Sequence, residues 1–147
     1  MKRRGLQMGR RHRRTLYAAS LALFLSGISW AWIYHLDEAG RAGEELMRMK
    51  TSLIAVHGFS AMVFVLLLGT LLAGHVRRAW HAHKNRKNGV FFLTMACLLT
   101  LSGYLLYYLG DEHVRAVVSN FHLWLGVTAP MLLIWHIWLG RRATRRD

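Results

Sequence analysis

Cysteine, proline and acidic side chains are nearly missing from this chain, which has one cysteine, one proline and seven Asp/Glu among 147 residues. A lone Cys97 excludes an intrachain disulfide, and its place in the middle of an apolar run suits a small buried side chain. With Pro130 as the single proline, only one position in the apolar stretches threatens a long helix. None of the seven acids falls inside an apolar stretch, so the carboxylates that many metal cages require are not there. H-x-x-x-H and C-x-x-C-H are also absent, and the polar connections hold no nucleophile-and-base arrangement.

What the chain has instead is hydrophobic length. Hydrophobic residues make up 54% of it, concentrated in four segments of about twenty residues at roughly 15–35, 53–75, 90–109 and 119–139. Each is long enough to cross a bilayer, so the expected fold is all-α, an integral membrane four-helix bundle forming a single domain over residues 1–147. The first segment lacks a small-residue cleavage site and is followed by three more, which reads as a retained span rather than a signal peptide.

A formal net charge of +13 would suggest nucleic acid for a soluble protein, but here its distribution carries the information. The arm up to Arg14, the connection from Val76 to Gly89 and the tail after Gly140 hold sixteen of the twenty Lys/Arg. The other two connections, Asp37 to Ser52 and Gly110 to Val118, hold four basic residues and six of the seven acids. By the positive-inside rule both termini are expected in the cytoplasm, with lipid rather than nucleic acid as the partner of the basic arm. Tryptophans and tyrosines cluster at the segment ends, as interfacial anchors do.

Histidine is the residue that packing explains least. The fourth segment writes one phrase twice, His122-Leu-Trp-Leu-Gly126 and His136-Ile-Trp-Leu-Gly140. Fourteen helical residues are 40° short of four turns, so both imidazoles leave nearly one face about 21 Å apart. In the second segment His57 and His75 are eighteen residues apart, five whole turns and about 27 Å. The second and fourth segments run in the same direction, so His57 and His122 share one level, and His75 and His136 share another. Two levels with two imidazoles each suit two bis-histidine haems, non-covalent because no attachment motif exists.

The first and third segments repeat Leu25-Ser26-Gly27 and Leu101-Ser102-Gly103, so the chain reads as a duplicated hairpin. Gly27 and Gly103 are candidates to make room for the outer ring, or are packing glycines that need no cofactor. Arg77 and Arg78 follow His75 and are candidates to neutralise haem propionates, or simply belong to the positive-inside charge. A bend is expected at Pro130, with Thr128 helping to satisfy the freed backbone.

These features together resemble the small bacterial dihaem membrane cytochromes b. The likeness is to the four-helix cytochrome b561 type, which includes the b-type subunits of formate dehydrogenases and nickel-iron hydrogenases. It rests on Leu25-Ser26-Gly27-Ile28-Ser29, on His57 early in the second segment, and on His122 and His136 fourteen apart, and it extends over all four segments. The resemblance implies an electron carrier in the bacterial inner membrane. Such a carrier has two haem b and exchanges electrons between quinone or quinol and a partner such as a periplasmic cytochrome c or a peripheral reductase. In much of that group the inner haem takes a ligand from the start of the first segment, here His12 within Arg10-Arg11-His12-Arg13-Arg14. Duplication symmetry and the surrounding arginines favour His75 over His12. Two rival classes remain, a histidine-ligated metal transporter or metalloprotein, and a cofactor-free membrane anchor. The connections are too short for a catalytic domain, so turnover of a soluble substrate would belong to another chain.

Overall fold

The computed structural model describes residues 9–41, 43–77, 81 and 86–145, with the side chains of His75, Arg141 and residues 143–145 outside that description. Four long helices make the fold, and among the described residues there is no strand. They are α1 (Arg10–Glu38), α2 (Glu44–Leu71, continued by a π-helical turn at Leu72–Val76), α3 (Arg86–Tyr108) and α4 (Glu112–Arg145). All four are long and apolar enough to cross a membrane. In hydrocarbon only internally satisfied backbones are stable, which is why this composition takes up helix throughout.

Helices extend past the apolar stretches at several ends. α1 begins at Arg10 rather than near Thr15, α2 at Glu44 and α4 at Glu112, so the Gly110 to Val118 connection is mostly helix. The i to i+4 bonding that forms a helix does not stop where hydropathy falls, so hydropathy marked only its apolar middle. Local chemistry sets the true ends. α1 stops in a Schellman turn, with Gly40 at φ +66° and with Gly40 and Arg41 N–H groups donating to the Asp37 and Leu36 carbonyls at 2.9 and 2.8 Å. Asp111 caps the start of α4, its Oδ1 accepting from the Val114 N–H at 2.9 Å.

α1 and α2 form one antiparallel hairpin, and α3 and α4 form another; α1 and α4 join the two. Lys50 Nζ reaches Asp37 Oδ2 at 3.0 Å and lies 4.9 Å from the Tyr34 ring centre, closing the first hairpin at its loop end. At the opposite end Thr70 Oγ1 lies 3.3 Å from His12 Nε2. The same alternation runs through the second hairpin, where Ser102 meets His122 and Asn88 meets His136. The buried core is thin, with Leu16, Ala19, Ala31, Ile33, Met95 and Ala96 as its apolar members among the described residues. Most large apolar side chains point outward, as lipid contact permits.

α4 continues through Pro130 without a break. Thr128 Oγ1 donates to the Leu125 carbonyl at 3.0 Å, one residue short of the Gly126 carbonyl that Pro130 leaves unpaired.

Gly40→Ala would force a Cβ into the left-handed region. It is expected to cost roughly 1–2 kcal/mol, read as a lower unfolding midpoint in detergent, and an unchanged midpoint would show that the turn tolerates the residue.

Candidate cofactor site

At the loop end of the bundle two imidazoles meet across the hairpins. His57 on α2 and His122 on α4 have ring centroids 6.2 Å apart and ring planes inclined at 77°. Both are half-buried. Each ring is held from behind by the preceding helix of its own hairpin: Ser26 Oγ is 3.0 Å from His57 Nδ1, and Ser102 Oγ is 2.8 Å from His122 Nδ1. Both serines are only 4% exposed.

The glycines beside those serines explain how the rings come so close. A Cβ on Gly27 would sit 3.0 Å from His57 Cε1, and one on Gly103 would sit 3.2 Å from His122 Cε1. Gly27 and Gly103 therefore admit an imidazole edge to the helix backbone. In contrast, a Cβ on Gly126 would meet Leu99 Cδ2 at 4.0 Å, and one on Gly140 would meet nothing within 4 Å. The glycines one turn after the repeated histidines are not the ones that touch a histidine.

At the other end the picture is less symmetrical. Asn88 Nδ2 donates to His136 Nδ1 at 3.1 Å, and Phe92 stacks on the same ring at 4.8 Å with an interplanar angle of 27°. His12 is part of α1, turned towards Thr70 of α2, rather than lying in an arm outside the bundle. The His75 side chain and Arg78 lie outside the described residues. The backbone at His75 belongs to the π-helical turn, where the winding departs from 100° per residue. The last residues of the whole-turn count from His57 therefore pass through altered winding. Arg77 is exposed, and its carbonyl accepts from His81 Nδ1 at 2.7 Å.

The donor set at the loop end can be tested against a metal. Two imidazoles bound in trans at roughly 2 Å would have centroids roughly 6.3 Å apart, because each ring centre lies about 1.1 Å behind its nitrogen. The observed centroid separation is 6.2 Å, with the ring planes inclined at 77°. Among the described residues no group of three or more His, Cys, Asp or Glu side chains could hold a metal ion. The His57–His122 pair could offer a metal two protein nitrogens.

Sequence reading missed the serines. Their signal was present, since Leu-Ser-Gly is written twice at matching positions, but the glycine alone was weighed. Asn88 gave no signal of its own. No family model, curated protein or solved structure matches the chain.

Gly27→Ala is expected to displace the His57 ring more than Gly103→Ala displaces His122, because the contact it creates is shorter. Displacement of the ring signals in nuclear magnetic resonance spectra of labelled histidines would follow the order Gly27→Ala, Gly103→Ala, Gly126→Ala from most to least. Equal displacement in all three would mean that neither ring depends on its bare backbone.

Proposed function

We propose that this protein is a b-type cytochrome of the bacterial inner membrane. It carries electrons across the bilayer between quinone or quinol and a partner redox protein, with two non-covalent haems. The observation that carries this reading is the opposed His57–His122 pair at 6.2 Å, with each Nδ1 held by a buried serine. Haem supplies a one-electron ferric/ferrous couple, and with both axial positions filled by imidazole it suits electron transfer rather than oxygen binding. His57 and His122 hold one ring, near the loop end. The sixteen-to-four division of Lys/Arg puts that end on the periplasmic side and both termini in the cytoplasm.

His136 holds the second ring, about 21 Å below. For its partner the geometry favours His12 over His75. His12 precedes Ser26 by fourteen residues, as Asn88 precedes Ser102, and His136 follows His122 by the same number. His12 and His136 thus stand at one depth, whereas His75 is eighteen residues from His57 with a π-helical turn at its own position. Duplication symmetry, when counted from the serines, equates His12 with Asn88. The arginines around His12 and the exposed Arg77 would serve ring carboxylates at this level.

Four ligand replacements test the assignment. His57→Ala and His122→Ala each remove the same haem and spare the other, while His136→Ala and His12→Ala remove the second, read from low-temperature spectra of the reduced protein. Loss of the second haem in His75→Ala with retention in His12→Ala would reverse the choice of inner ligand. The two sites also differ in readiness, because Asn88 donates to His136 Nδ1 and its amide must turn before that nitrogen can carry the proton. The inner haem is accordingly expected to dissociate first as haem is withdrawn by a competing apo-haemoprotein, and outer-first loss would contradict this ordering.

A further inference from the structure

We infer that Ser26 and Ser102 are positioning residues that hold both outer imidazoles in the Nδ1–H tautomer, leaving Nε2 as the lone-pair nitrogen on each ring. A neutral imidazole has one N–H and one acceptor nitrogen, and only the acceptor can bind a metal. Which nitrogen that is depends on what the other one faces.

Ser26 has a single hydroxyl hydrogen. Its Oγ lies 2.6 Å from the Ala22 carbonyl, within the O–H···O range, and 3.2 Å from the Leu23 carbonyl. Two oxygens at 2.6 Å need a hydrogen between them, and a carbonyl cannot supply it, so Ser26 donates down its own helix. Only its lone pairs remain for His57, and the 3.0 Å contact must be Nδ1–H donating to Oγ. The second hairpin repeats the contact, with Ser102 Oγ 2.8 Å from His122 Nδ1 and 3.2 Å from the Leu99 carbonyl, and the Ser26 geometry assigns it the same direction.

The arrangement therefore occurs twice, in unequal helices, with the same three parts. A serine back-bonds to its own helix, its oxygen receives Nδ1–H, and the following glycine admits Cε1. A serine chosen for packing alone would have no reason to sit beside Nδ1 in both hairpins. Partners of this kind orient a metal-binding histidine and raise its basicity, and removing them typically costs about 10–100-fold in affinity. The assignment of roles to these serines in haem binding rests on the function proposed above, while the tautomer itself does not.

The test uses the full-length chain in detergent, as wild type and as Ser26→Ala, Ser102→Ala and Ser26→Thr. Each alanine variant is expected to bind haemin about 10–100-fold more weakly and to raise the midpoint potential of the outer haem, since a less basic imidazole stabilises ferric iron less. The steeply inclined ring planes imply a strongly anisotropic ferric low-spin electron paramagnetic resonance signal, which the alanine variants shift and Ser26→Thr keeps. Alanine variants with wild-type potential and spectrum would overturn the inference. Should they bind no haemin, nitrogen-15 spectra of labelled histidines in the haem-free chain decide: persistence of the Nδ1–H form refutes the serine role, and a mixture of tautomers supports it. A wild-type chain that shows the Nδ1–H tautomer yet takes up no haemin would reject the proposed function and leave the positioning role intact.

Discussion

The hydrogen bond from each imidazole to a serine on the neighbouring helix ties a hairpin together at the level where it faces the other hairpin. Little else in the described core could place two rings so closely, because its apolar members are few and mostly small. Between membrane helices such a bond contributes about 0.6–2 kcal/mol. Its larger consequence is geometric. It sets which edge of the ring turns back towards α1 or α3, and so which edge is left to face the opposing histidine. The neighbouring glycines allow this, since a methyl at either position would press on the ring.

From that constraint the division of the chain follows. The loop end is built by side chains that need no rearrangement to present two imidazoles, whereas the other end uses an asparagine where the first uses a serine, and an amide can face either way. Charge reinforces the contrast. Acids gather in the α1–α2 and α3–α4 connections, whereas most Lys/Arg lie in the N-terminal arm, the α2–α3 connection and the tail.

Much of this was legible in the residues, for identifiable reasons. A bilayer leaves a chain so rich in long apolar runs little choice but helix, so the four spans and their alternation could be read directly. His57 and His122 could be paired because both lie early in spans that run the same way. The count of whole turns from His57 to His75 passes through a π-helical turn at Leu72–Val76, and no residue there announces the altered winding. The serines were overlooked because Leu-Ser-Gly in a membrane helix is most simply read for its glycine, and the hydroxyl gains meaning only once a ring from another helix is seen beside it. The helices continue beyond the apolar segments into charged sequence, as at Arg10 and Glu112.

The central claim is that opposed imidazoles in this bundle hold haem, and optical spectroscopy of the purified chain tests it most directly. A reduced-minus-oxidised spectrum with a pyridine haemochrome ratio should give the sharp visible bands of low-spin b haem at two per chain. Protein that is folded and pure, was produced with ample haem and yet shows no such bands would contradict it.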